Sequence, residues 1–393
     1  MKQSTFIILG VIVILVLVGA WAYLLFSGTP KDANQIFTDL GLGGEEDSGI
    51  VIAPEPKPEE PVVNMDRPRL RQLTTKPVVG FAEVQATTSD PVVVYYAEAG
   101  TGHVYTIRLD SGEETRLSNT TVDKASFASF SPKGDAVAIR SHNDKRTSEL
   151  TVGTFDQGSG GLKTMTFSPT VTDFSLVSSS SLLYSTESPY GLIAHEYNFN
   201  KAVDTTLFTV PFHEAKIIWG SSTTATHAAY PKPSYLLEGY LYRFTKGTMS
   251  RLPAAGYGLS AFIAGNNVIY TSASDYTPKS TVYNESTNTH HPLSIVTMPE
   301  KCTSSVKRMN TLWCGYELKK GEFEFPDTWY RGEISYKDSL WLVDLELGNA
   351  ELLVDTFIAS QRELDVTELT VGPSESTLYF INKNDNTLWM YEL

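Results

Sequence analysis

One hairpin keeps returning along this chain: an apolar run, a short polar turn, then a second apolar run that ends on an aromatic or large aliphatic residue. It is clearest in LTVGPSESTLYFIN (Leu369–Asn382). It recurs as SFSPKGDAVAIRS (Ser129–Ser141), FSLVSSSSLLYST (Phe174–Thr186), IIWGSSTTATHAAYP (Ile217–Pro231), AFIAGNNVIYTS (Ala261–Ser272) and SSVKRMNTLWCG (Ser304–Gly315). Aligning the second strands places Ile139, Tyr184, Tyr230, Tyr270, Trp313 and Tyr379 in one column, with successive gaps of 45, 46, 40, 43 and 66 residues. A self-similar unit of roughly 40–50 residues made of short strands is the pattern of a β-propeller blade.

Between the hairpins the strand signal continues without a break. VVVYYAEA (Val92–Ala99), HVYTIRLD (His103–Asp110) and SLWLVDLE (Ser339–Glu346) cluster β-branched and aromatic residues. Tight turns join them, such as SPKGD (Ser131–Asp135) and KNDNT (Lys383–Thr387). Counting units gives an all-β, seven-bladed propeller over residues 69–393. The last unit supplies only three strands before Leu393. RPRLRQLTT (Arg67–Thr75) resembles an outer strand, so it is expected to pair beside Leu388–Leu393 and close the ring, leaving no open edge.

Two segments precede the repeats. Residues 1–27 contain Phe6–Phe26, 21 residues without a charge, long enough to cross the hydrocarbon core of a bilayer. Trp21 and Tyr23 suit the interfacial belt. Lys2 and the free amine place the N-terminus in the cytoplasm and the rest of the chain outside the cell. Ala20-Trp21-Ala22 would serve a cleavable signal, but the apolar run continues past it, so one uncleaved transmembrane helix is expected. Residues 28–68 carry nine acids against Lys31, Lys57 and Arg67, with the proline-rich core APEPKPEEP, and read as an extended tether.

The SFSPKGDAVAIRS hairpin resembles the SPDG-type hairpin of TolB-like and WD40-like propeller repeats, with a weaker match at Gly372–Ser376. The resemblance implies a propeller fold and a tendency to bind or scaffold, without implying an activity. Such propellers also cap peptidases of the prolyl oligopeptidase family, but with the repeats running to Leu393 their hydrolase domain is not expected here.

Signals for chemistry are sparse. A net charge of −14 with no basic stripe argues against nucleic acid. The two cysteines, Cys302 and Cys314, face each other across a hairpin and are expected to form a disulfide in an exported domain. His195-Glu196 and His213-Glu214 lack a second ligand at zincin spacing, and His290-His291 is read as a solvated polar turn. No G-x-S-x-G elbow, Walker loop or dinucleotide fingerprint occurs, so no cofactor or metal is expected. Asn119 and Asn284 open glycosylation sequons. One unit carries an insertion, Tyr316–Asp338, which accounts for the 66-residue gap. Its Phe323, Phe325, Trp329, Tyr330, Arg331 and Tyr336 have the composition of a binding loop, or else fold back to cover the blade edge. The expected role is a non-catalytic binding or scaffolding module of the cell envelope, with a protein or glycan ligand. The alternatives are a carbohydrate-directed hydrolase or lyase with its site in the propeller funnel, and a self-associating surface protein. The funnel can bring distant carboxylates together, but sequence alone nominates none.

Overall fold

The computed structural model describes residues 67–393 apart from 86–89, 143–147, 156–160, 168–170, 221–225, 275–276 and 318–323. The expected transmembrane segment Phe6–Phe26, the tether up to residue 66 and Phe323 of the insertion therefore lie outside the described residues. Among the described residues no helix is long and apolar enough to cross a membrane.

Antiparallel strands pair with their neighbours in sequence and form five four-stranded sheets and one seven-stranded sheet among the described residues. The seven-stranded sheet runs from Ala215–Ile218 to Thr289–Pro292. It is continuous because one 17-residue strand, Thr248–Ala264, is shared between its two halves. The pairing of that strand is interrupted by register shifts, opposite Tyr240/Tyr242 of the preceding strand and at its own Tyr257/Ser260, so the strand bends between the halves rather than running straight.

The second strand of each hairpin is sandwiched between neighbouring sheets, and its composition follows from that. Thr377–Asn382 is buried at every position, and Ala136–Ile139 is likewise closed off on both faces. A strand covered on both faces needs a continuous apolar run, which is why the aromatic column is so regular. Fourth strands such as Glu114–Arg116 and Leu162–Thr166 are largely exposed and correspondingly polar.

Apolar clusters join each sheet to the next. Val94 and Tyr96 of the first sheet pack on Tyr379, Leu388 and Met390 of the C-terminal strands. Trp313 and Leu340 pack on Val366, Leu378 and Trp389. Ala138 and Leu150 meet Phe174 and Leu182, and Ile269 and Val282 meet Leu312 and Val343. First and last strands are thus linked through a ring of contacts. Innermost strands approach closely at its centre: a Cβ at Gly80 would lie 2.0 Å from the Ala128 carbonyl oxygen, so no larger residue fits there.

Closure uses the segment expected from the sequence. Leu70–Gln72 pairs antiparallel with Thr387–Glu392, in the register Leu70 to Tyr391, Arg71 to Met390 and Gln72 to Trp389.

Cys302 and Cys314 are register partners on adjacent strands and form a disulfide. On loop-entropy grounds, converting both to serine is expected to lower unfolding stability by about 3 kcal/mol. Urea denaturation of the two proteins checks this, and coincident curves would show that the bridge contributes nothing.

Two details differ from the sequence reading. His290 and His291 do not sit in a turn: Thr289–Pro292 is an edge strand, with His291 opposite Val282, because the ladder of Thr277–Asn284 extends past its turn. Short helices also appear where none was expected, at Asp327–Tyr330 and Thr356–Ser360. Each is about one turn long, too short to leave a 3.6-residue pattern.

Candidate functional site in the central channel

Five of the six sheets show the same irregularity on their innermost strand: a register shift near its start. It falls at Val78/Gly80, Ala125/Phe127, Val171/Asp173, Tyr257/Ser260 and Thr367/Thr370. An extra residue in one strand re-aims the side chains on either side of it. In two of these strands the re-aimed residue is acidic, within Val-Thr-Asp (171–173) and Val-Thr-Glu (366–368).

These strands surround a cavity of about 470 Å³. Its charged and phenolic lining is Arg140, Asp173, Lys216, Tyr230, Glu300 and Glu368, drawn from five segments far apart in the chain. Glu368 lies inside the Thr367/Thr370 bulge with φ of 53°, a left-handed backbone that costs a non-glycine residue about 1 kcal/mol or more. Its side chain is solvent-accessible and lines the cavity. Enclosure deep in the ring, reinforced by the charges of Glu300 and Asp173 and opposed by Lys216, pushes its pKa up to about 7.

Asp173 accepts the Phe174 N–H at 2.9 Å. Burial raises its pKa, against the pull of Arg140 and Lys216. Lys216 stands 3.3 Å from Glu300. Burial works against its charge, but Glu300, Asp173 and Glu368 outweigh it and its pKa is raised. Tyr330 donates its hydroxyl to both Glu300 oxygens, at 3.0 and 3.2 Å, and burial beside that carboxylate holds its pKa well above the ordinary value. The result is a recess lined by charged groups in which one carboxyl group exchanges its proton near neutrality, beside two cations that can stabilise an anion. Among the described residues no cluster of three or more His, Cys, Asp or Glu side chains is arranged to hold a metal ion.

The insertion distributes its aromatics between two tasks. Phe325 and Trp329 are buried, 4% and 2% exposed, and pack with Met298. Trp329 donates its indole N–H to both oxygens of Asp365 at 3.0 Å, and the Tyr336 N–H reaches Asp365 at 3.2 Å. Beneath them Lys301 is ion-paired with Asp338 and with Asp365, the latter at 2.5 Å, and lies 4.9 Å from the Trp329 and Tyr336 ring centroids. Tyr330 instead reaches the channel wall at Glu300, and Arg331 is on the surface, paired with Glu333 at 2.7 Å and Glu324 at 2.9 Å.

The channel residues themselves escaped the sequence reading. The available signal was the repeated Val-Thr-acid at the third position of two innermost strands, which looks in isolation like ordinary in–out alternation.

No family model matches the chain, and no curated protein matches it. Solved structures do. The β-propeller domain of the trilobed protease from Pyrococcus furiosus, reported with an open velcro topology, aligns with TM-score 0.49 and 9% identity over 80% of this chain and 94% of that one. An oligogalacturonate lyase in complex with manganese aligns with TM-score 0.51 and 12% identity over 81% of this chain and 96% of that one. An acylaminoacyl peptidase from Pyrococcus horikoshii aligns with TM-score 0.45 and 13% identity over 78% of this chain and 51% of that one. Together with the sheet topology, the lyase match supports a propeller fold.

Proposed function

We propose that this chain is a carbohydrate-directed hydrolase or lyase whose site is the propeller channel, displayed outside the cell on a membrane anchor. The observation that carries the reading is Glu368. It is held in a left-handed bulge, aimed at a 470 Å³ recess, with its pKa at about 7 and Lys216 and Arg140 in the same wall. Strained backbone, a carboxyl tuned to neutrality and nearby cations together are the equipment of a proton-transferring site. Carbohydrate is the substrate class because the recess sets charged groups beside the rings of Phe127, Tyr230 and Phe262, and a lyase acting on an oligouronate shares the fold. The anchor rests on the uncharged Phe6–Phe26 segment and the acidic tether. We count seven blades, the seven-stranded sheet forming two of them, since seven apolar clusters join successive groups of strands.

The full-length protein, incubated with acidic and neutral polysaccharides, is expected to release new reducing ends if it hydrolyses, or ultraviolet-absorbing unsaturated ends if it eliminates. With Glu368 acting as base, the rate rises as pH passes through about 7 and then levels off. Glu368→Gln is expected to lower the rate at least about a hundredfold. Intact cells should show the same activity, because an added polymer stays outside the membrane. Turnover undiminished in Glu368→Gln would sink the proposal. Glycan retained by the wild type without any turnover would decide for the second reading, a non-catalytic binding module.

A further inference from the structure

Among the described residues, Arg140 is the cation in the channel wall whose donors are largely unspoken for. Its Nη2 donates to the Thr172 carbonyl at 3.0 Å, while its Nε is buried and has no hydrogen-bond partner. Among the described residues it makes no ion pair; Lys216, in the same wall, is already engaged by Glu300. The guanidinium is held rather than free to swing. It lies 5.1 Å from the Phe174 ring centroid and 5.7 Å from that of Phe127, two rings that pack edge to face.

Leaving a guanidinium half-buried without a counter-ion is unfavourable, because burial removes its hydration and nothing replaces it. Among the described residues the carboxyl group that senses Arg140 electrostatically is Asp173, with which it makes no ion pair. Asp173 is drawn toward its neutral form by its own burial, and one of its oxygens is occupied by the Phe174 N–H. Among the described residues the Nη1 amino group has no hydrogen-bond partner, so the terminal edge of the guanidinium, not the buried Nε, is what Arg140 offers to the recess it lines, whose size, about 470 Å³, falls in the range of small-molecule sites. A planar fork of N–H groups, fixed by aromatic stacking, matches a carboxylate or another oxyanion better than it matches a hydroxyl.

We propose that Arg140 is the anchor for an oxyanion group of the channel's ligand, so that an enzyme acting here takes acidic saccharides, through their carboxylates, in preference to neutral ones. This rests on the carbohydrate reading above for the saccharide and on the channel geometry alone for the oxyanion.

The test is calorimetric titration of the full-length protein in detergent, in a Glu368→Gln background that stops turnover. The probes are trigalacturonate, maltotriose as its neutral counterpart, and inorganic phosphate. Trigalacturonate is expected to bind at least about tenfold more tightly than maltotriose, and Arg140→Gln to remove that preference. Arg140→Lys, which keeps the charge but not the fork, is expected to retain part of it, with thermal melts confirming that both variants fold. Phosphate bound in an Arg140-dependent manner, without trigalacturonate, would uphold the oxyanion site and identify a free anion as its source. Equal affinity for the two saccharides, affinities indifferent to Arg140→Gln, or no binding of any probe would overturn the proposal. The two readings fail separately. An Arg140-dependent preference with no turnover by the wild type removes the enzyme and leaves the anchor. Turnover of neutral glycan independent of Arg140 removes the anchor and leaves the enzyme.

Discussion

Deleting residues 67–75 from the full-length chain is expected to lower unfolding stability by roughly 5 kcal/mol, which is a large part of what a domain has in total. The loss follows from what the segment does. Leu70 is 4% exposed and packs with Trp313, Leu364 and Trp389, and losing a buried leucine costs about 2–3 kcal/mol. The ladder to Thr387–Glu392 and the Leu73 N–H to Leu388 bond at 2.8 Å add backbone hydrogen bonds worth about 1 kcal/mol each. The Thr74 hydroxyl also accepts the Leu388 N–H at 3.0 Å, a bond that the deletion removes. Arg71 pairs with Glu392 at 2.6 Å and adds little, being partly exposed. Beyond stability, the deletion uncovers Thr387–Glu392 as a bare, apolar edge strand, so concentration-dependent aggregation is expected to accompany the loss. Urea denaturation of the deleted and intact proteins, with sedimentation of each, measures both effects. An unchanged transition midpoint would mean that closure by the N-terminal strand contributes nothing.

That strand was legible in the sequence because its role is generic: an edge needs covering, and a short apolar–basic run with the right neighbours covers it. The hairpin column was legible for a related reason. Ile139, Tyr184, Tyr230, Trp313 and Tyr379 are all buried between sheets, so each must be large and apolar whatever its blade does. The channel was not legible. Arg140, Asp173, Lys216, Glu300 and Glu368 converge only when the ring closes, and none is distinctive among its sequence neighbours. The aim of Asp173 and Glu368 also depends on one-residue bulges, and a shift of one residue in a strand exchanges inward for outward. The seven-stranded sheet shows the same limit. Strand Thr248–Ala264 passes through two repeats, so a boundary that looked sharp by spacing is continuous in hydrogen bonding. The insertion failed to declare itself for a different reason. Its aromatic composition suits either a contact surface or a plug, and what holds Trp329 inside is Asp365, which lies 36 residues away in the chain.

Lys301→Met is expected to destabilise the protein by about 3–5 kcal/mol, the cost of leaving buried carboxylates without their cation. Lys301, Asp338 and Asp365 are 4%, 1% and 0% exposed, and the lysine also donates to the Val366 carbonyl at 3.0 Å. Removing one positive charge leaves two negative ones facing each other under the Trp329 indole. The deficit should depend on pH, with a sign fixed by Asp338. Its pKa in the folded protein is already raised to about 6 by burial, with Lys301 pulling it down and Asp365 pushing it up. A carboxyl whose folded pKa exceeds its unfolded value near 3.9 favours the folded state while protonated, and that contribution is lost as pH rises through the folded pKa. Without Lys301 the folded pKa moves higher still, so the loss extends to higher pH. The variant should therefore lie closest to wild type near pH 5 and farthest from it near pH 8. Adding Asp338→Asn and Asp365→Asn is expected to recover part of the deficit and flatten its pH dependence, since the uncompensated charges are then gone. Guanidinium denaturation of the three proteins at both pH values reads this out directly. A small deficit, equal at pH 5 and pH 8, would show that Lys301 fills space in the clasp rather than neutralising it. The clasp would then have no electrostatic part in holding Tyr330 against Glu300 at the channel wall.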